Sequence, residues 1–153
     1  LYENTVFVFV ADHGKIIGRP ECEVAESFNH VPLIIHSPRI GKKTEKDFCC
    51  QTDIQAILFS LLGIEYDNVG FGCDVLNNTS SEVFYSTDDI LCARDSSYLY
   101  LTDPRTNMIK SYDIREKYKE VAKDSCLYLD SLLRRRFAAY EYLVSHKKTT
   151  LVK

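Results

Sequence analysis

The sequence predicts an α/β fold: a mixed sheet flanked by helices, continued by antiparallel strands and closed by a terminal helix. Three observations predict it. A dense apolar run, Thr5 to Ala11, ends in Asp12-His13-Gly14. An N-capped amphipathic pattern spans Gln51 to Gly63. From Glu82 onward, short β-branched and aromatic runs alternate with turn clusters, and a long helical pattern follows.

Thr5-Val6-Phe7-Val8-Phe9-Val10-Ala11 reads as a strand buried on both faces. In open α/β sheets, ligands bind just outside the carboxyl ends of the strands. Asp12 and His13 stand at such an end, and a carboxylate beside an imidazole suits Zn²⁺ or Mn²⁺. Gly14 lets the backbone turn and approach a ligand closely. For the tripeptide taken alone, an ordinary polar turn competes with metal ligation as the explanation.

A polar stretch follows, Lys15 to Asn29, with Gly18 and Pro20 as turn signals. Val31 to Ile35 reads as a second short strand with Pro32 at its start, where a missing N–H is tolerated. His30 stands at its entrance and is a third candidate ligand. An antiparallel pairing would bring Asp12, His13 and His30 to one sheet edge. Lys15 directly follows the pair and could neutralise a phosphate oxygen, although an exposed loop lysine explains it equally. His36 alternates with Ile35 and is either structural, the better explanation, or a phosphate contact.

Gly41-Lys42-Lys43 reads as an exposed basic loop. In the next helix Thr52 or Asp53 can cap, Ile54, Ile57, Leu58, Leu61 and Leu62 form one apolar face, and Gly63 ends it. Glu82–Ser86, Ile90–Arg94, Tyr98–Thr102 and Met108–Ile114 read as strands of an antiparallel meander. Asp103-Pro104-Arg105-Thr106-Asn107 is a strong turn. Asp88, Asp89 and Asp95 suit turn formation better than a cation site. From Glu116 to His146 the pattern is helical. Arg134-Arg135-Arg136 within it suits a solvated face, with an anionic lipid surface as the lesser alternative. His146 sits where a histidine meets a helix C-terminus favourably.

At 153 residues, 45% hydrophobic and 27% charged, the chain has the size and balance of one compact unit. A net charge of −3 gives no sign of nucleic-acid affinity. No apolar stretch approaches the roughly 20 residues that span a bilayer, and no signal peptide opens the chain. None of the six cysteines forms a C-x-x-C pair. Buried thiols acting as small hydrophobes are a better explanation for them than a disulfide framework.

Four stretches together resemble the sulfatase/alkaline phosphatase superfamily, closest to its lipoteichoic-acid-synthase-like branch of phosphoglycerol transferases. They are Thr5–Gly14, Val31–Pro38, Gln51–Ile64 and Gly70-Phe71-Gly72-Cys73-Asp74-Val75-Leu76, with a weaker match from Val83 to Ile114 ending in Tyr112-Asp113-Ile114. No single tripeptide is specific; their order and spacing are.

The resemblance implies an alkaline-phosphatase-like fold of which residues 1–153 are the C-terminal part of a sulfatase-like catalytic domain. It implies a metal-dependent phospho- or sulfo-ester transferase or hydrolase, with phosphoglycerol or a related headgroup transferred. Asp12 and His13 would hold one divalent ion, Zn or Mn, and His30 a second ion or the transferred group. Lys15 and His36 are the candidate phosphate contacts.

A Thr or Ser nucleophile at the family's position lies upstream of the Asp-His pair. The chain begins eleven residues before Asp12, so no catalytic residue is expected within it, and by itself it is expected to be inactive. Further expectations are a phosphate- or sulfate-ester substrate, lipid-linked, and membrane anchoring through preceding helices with an outward-facing catalytic domain in the cell envelope. An outward-facing domain also leaves room for one long-range disulfide. A cut edge at Thr5–Ala11 is expected to make the isolated chain self-associate. The alternatives are an inactive sulfatase-like binding or structural module, and a receiver-like domain using Asp12 for Mg²⁺. The latter would need an acidic cluster and complete βα units, and neither is evident.

Overall fold

The structure is a computed structural model and describes residues 1–78 and 80–149. Length alone suggests one compact unit, but the chain divides into two, Leu1–Glu45 and Lys46–Lys153.

The first unit is small. A 3-10 turn, Tyr2–Asn4, leads into β1 (Phe7–Val10); α1 (Glu26–Asn29) and β2 (Leu33–His36) follow. The two strands pair antiparallel, Phe7 opposite His36 and Val10 opposite Leu33. β2 starts after Pro32, which has no N–H to give to a ladder.

The expectation that both faces of β1 are buried is corrected. Among the described residues β1 pairs with β2 alone, and Phe7, Phe9 and Val10 are exposed, Phe9 at 57%. The apolar run specifies a strand, but a two-stranded sheet covers neither of its own faces. The buried residues of this unit are Val24, Ala25 and Ser37.

The second unit opens with a 3-10 turn, Gln51–Asp53, continued by α2 (Ile54–Leu62). Ala56 and Ile57 bury its inner face. Gly63 ends the helix in the left-handed region, φ 63°, which a residue without Cβ adopts freely. Asp53, one of the two expected caps, stands at the N-cap of α2. Its carboxylate reaches back to accept the N–H of Cys50, which precedes the 3-10 turn and whose carbonyl accepts the Asp53 N–H at 2.9 Å. Asp53 is buried, and its second oxygen accepts the N–H of Cys73 at 2.8 Å. One carboxylate therefore ties the start of the helix to the loop that follows it.

β3 (Val83–Thr87), β4 (Ile90–Arg94), β5 (Tyr98–Asp103), β6 (Met108–Asp113) and β7 (Lys119–Glu120) form a five-stranded antiparallel meander in chain order. Its bounds lie close to those the turn signals indicate. The acidic residues between the strands make turns. Asp95 accepts from the N–H of Ser97 and Tyr98, and Asp103 from the N–H of Arg105 and the hydroxyl of Thr106. Asp88 adopts φ 49°, and Asp89 pairs with Arg105.

The terminal helix α3 (Leu127–Ser145) starts eleven residues later than the helical pattern suggests. Lys117 and Tyr118 take positive φ, 56° and 59°, and Lys119–Glu120 pairs with β6 instead. α3 packs against β4. Ala93, Tyr100, Cys126, Leu129 and Leu133 form the core, with Phe84, Leu91, Tyr98 and Ile109 against it. The buried Tyr100 donates its hydroxyl to Asp130 at 2.7 Å, and Arg134 donates to the same oxygen at 2.7 Å. Beyond Leu133 the helix surfaces, with Phe137, Tyr140, Tyr142 and Val144 exposed. All six cysteines are thiols, and Cys92 and Cys126 are buried as small apolar groups. No helix among the described residues is long and apolar enough to cross a membrane.

Candidate metal centre

The antiparallel register of the first unit decides where its polar residues meet. Val10 ends β1 opposite Leu33, the first residue of β2. Asp12-His13 therefore leaves, and His30 arrives, at the same end of the sheet. Gly14 reinforces this. Its N–H donates to the carbonyl of Phe28 at 2.7 Å. A Cβ on Gly14 would lie 2.4 Å from the Ser27 carbonyl oxygen, so only glycine fits. The glycine's close approach is thus to its own chain, two residues before His30. The His13 ring stacks on Phe28, centroids 4.5 Å apart.

Asp12 and His13 are set as a pair. One Asp12 oxygen accepts the His13 N–H at 2.8 Å, and the other lies 3.7 Å from His13 Nε2. His13 Nδ1 lies 2.8 Å from the Gly14 carbonyl oxygen. A carbonyl can only accept, so Nδ1 carries a proton, and in the neutral ring Nε2 presents its lone pair on the side of Asp12. A ring nitrogen bonded to a backbone carbonyl, with the other left to coordinate, is the usual arrangement of a metal-ligating histidine. Both side chains reach solvent, Asp12 at 87% and His13 at 54%.

The other candidates are placed differently. The His30 N–H bonds the Glu26 carbonyl at 2.8 Å, and its side chain is exposed. Lys15 is exposed directly after Gly14. His36 pairs with Phe7 at the opposite end of the sheet, three residues or about 10 Å along the strand from the β1 exit. Its Nε2 meets the Tyr2 hydroxyl at 2.9 Å, and its ring lies against Tyr2 and Phe7.

The structure thus brings Asp12 and His13 together, sets His30 at their end, and places His36 at the other. Among the described residues no group of three or more His, Cys, Asp or Glu is arranged to hold a metal ion. The contributions of Phe28 and the Ser27 carbonyl leave no signal in a single sequence, because they act through a tertiary backbone contact.

Apolar surface adjoins the pair. Val8, Phe9, Val10, Ala11, Pro32 and Ile34 line an open groove of about 360 Å³. A more enclosed cleft in the second unit, lined by residues including Gln51, Gln55, Tyr66 and Asn68, has no charged side chain on its walls. Burial pushes the Cys22 thiol up to about 11.

No family model matches the chain. It is 26% identical over 156 residues to the lipoteichoic acid synthase-like protein YvgJ of Bacillus subtilis (strain 168), across 87% of this chain and 25% of that protein. A crystal structure of a protein in the alkaline phosphatase superfamily from Vibrio parahaemolyticus superposes with a TM-score of 0.76 at 18% identity, covering 99% of this chain and 38% of the other. The chain therefore spans about a quarter of the curated relative it matches.

Proposed function

We propose that this chain belongs to the sulfatase/alkaline phosphatase superfamily, near its lipoteichoic-acid-synthase-like branch, and supplies part of the metal centre of a phospho- or sulfo-ester transferase or hydrolase. Asp12 and His13 hold a divalent ion, Zn or Mn, through a carboxylate oxygen and Nε2. His30, at the same end, takes a second ion or the anion. When bound, such an ion polarises the phosphoryl or sulfuryl oxygens. The donor set fits. The carboxylate and imidazole are adjacent and open to solvent, and the imidazole tautomer is fixed by the Gly14 carbonyl. That hydrogen bond, together with the register that sets Val10 opposite Leu33, carries the reading.

This chain's part in the reaction is to hold and orient. Asp12 presents its charge to the bound ion and His13 its lone pair. The Phe28 ring and the Gly14 backbone fix where they point. The Thr or Ser nucleophile implied by the resemblance is supplied by a segment outside residues 1–153. The substrate is a phosphate or sulfate ester, and the groove beside Ala11 suits the hydrocarbon of a lipid-linked donor. Phosphoglycerol or related headgroup transfer, in an outward-facing domain anchored at the cell envelope, is the form of the activity we favour.

The test is turnover of p-nitrophenyl phosphodiester, phosphomonoester and sulfate esters by the intact protein with Zn²⁺ or Mn²⁺. Metal-dependent turnover lost in His13→Ala is expected, with none from residues 1–153 alone. Turnover by these residues alone, or turnover indifferent to His13→Ala, overturns the assignment. A second reading, an inactive binding module, draws support from the lack of a three-ligand cluster among the described residues. It predicts that the intact protein binds such esters without turning them over.

A further inference from the structure

We propose that Cys50 and Cys73 form a disulfide-closing pair that locks the loop after α2 to the start of that helix. Three of the six thiols gather round the buried carboxylate of Asp53. Its two oxygens accept the N–H of Cys50, at 2.7 Å, and of Cys73, at 2.8 Å. The Cys50 carbonyl accepts the Asp53 N–H at 2.9 Å, the Cys50 thiol donates to the Phe84 carbonyl at a long 3.6 Å, and the Cys73 thiol is hydrogen-bonded to the Asp53 carboxylate. A disulfide needs α-carbons within roughly 7 Å, and the shared carboxylate draws the backbones of the two residues toward each other.

The backbone at this point is already closed tightly. A Cβ on Gly72 would sit 2.0 Å from the Thr52 carbonyl oxygen, so residue 72 lies directly on the turn that carries Cys50. The bridge would add a covalent tie to a segment held by hydrogen bonds and packing. That segment carries Phe71, which stacks on Tyr140 of α3 at 4.2 Å. Cys49 is the less suited neighbour: it is exposed, and its thiol turns to the Cys50 carbonyl oxygen at 3.9 Å.

The step is thiol–disulfide exchange with a low-molecular-weight disulfide such as oxidised glutathione. The Cys73 thiolate attacks one glutathione sulfur, the glutathione S–S bond breaks, and one glutathione thiolate leaves. The Cys50 thiolate then attacks the Cys73 sulfur of the mixed disulfide and expels the second. The protein loses two electrons and two protons, and the two departing glutathiones take them up. Burial holds both thiols above their ordinary range, so exchange accelerates as the pH rises.

The experiment is peptide mapping without reduction after equilibrating the folded 153-residue chain with oxidised and reduced glutathione. A peptide linked through Cys50 and Cys73 is expected in the wild type and in Cys49→Ser, lost in Cys73→Ser, with a higher urea midpoint that reductant reverses. No linked peptide overturns the proposal. So does a link that disappears in Cys49→Ser, or a bridged chain with an unchanged or lower midpoint. Cys50→Ser, which keeps the backbone bonds to Asp53 and a capping side chain, should lose the link as Cys73→Ser does.

Discussion

The two units distribute chemistry and stability unequally. The first carries Asp12, His13 and His30 on a two-stranded sheet whose apolar residues face solvent. The second carries a five-stranded sheet with α3 packed on it, and Leu99, Tyr100 and Leu101 are wholly buried there. Few burying contacts mean little resistance to local opening. The metal-site candidates thus sit where the chain is least able to hold them by packing. What holds them is hydrogen bonding and one close backbone contact, that of Gly14 with Ser27 and Phe28.

The largest expected effect tests the packed side. Leu129, 1% exposed in the core, should cost about 2–5 kcal/mol as Leu129→Ala, read as a lower urea midpoint. Asp53→Ala should come next, because it strands the N–H groups of Cys50 and Cys73, at about 1–3 kcal/mol. An effect of Leu129→Ala no larger than that of the exposed Phe9→Ala would break the comparison.

Tyr100 gives the same side a pH signature. Burial first, and then the Asp130 carboxylate, push its hydroxyl up to about 12. The folded state holds that proton more tightly than the unfolded chain, whose tyrosine titrates near about 10. Its contribution is therefore complete below about 10 and lost as the pH rises from there to about 12. Tyr100→Phe should flatten this alkaline loss while costing about 1 kcal/mol at neutral pH. An unchanged alkaline profile would show that another group controls it.

The smallest effect on stability belongs to the open side. Phe9→Lys should change the urea midpoint by less than about 1 kcal/mol, since Phe9 is 57% exposed. It should nevertheless abolish self-association of the isolated chain, because a lysine on an uncharged edge strand blocks pairing with another copy. Light scattering at micromolar concentration checks this. A wild-type chain that is strictly monomeric would mean that the β1 edge is covered by other means.

The meander was legible because its turns are written in local chemistry. Asp95 and Asp103 make side-chain to backbone bonds within their own turns. The start of α3 was not. Residues 116 to 126 are compatible with a helix, and what stops one there is the positive φ of Lys117 and Tyr118 and the pairing of β7 with β6. β1 shows the same limit from the other direction. Phe7-Val8-Phe9-Val10 signals a need for cover, and cover is a tertiary property. At the candidate site, strand-end logic was enough to bring Asp12, His13 and His30 to one end. The tautomer of His13 and the seat of Gly14 depend on carbonyls that no residue type announces. His36 was beyond such logic too, since the register sends it to the far end of the sheet.

Calorimetric titration of Zn²⁺ or Mn²⁺ into the intact protein and its Asp12→Ala, His13→Ala and His30→Ala variants tests the central assignment most directly. The account predicts affinity at least tenfold weaker for Asp12→Ala and for His13→Ala, a loss of about 1.4 kcal/mol or more. It predicts a smaller loss or a missing second site for His30→Ala, and weak binding by residues 1–153 alone, which offer fewer ligands than a full set. Equal metal affinity in the wild type and Asp12→Ala would contradict it.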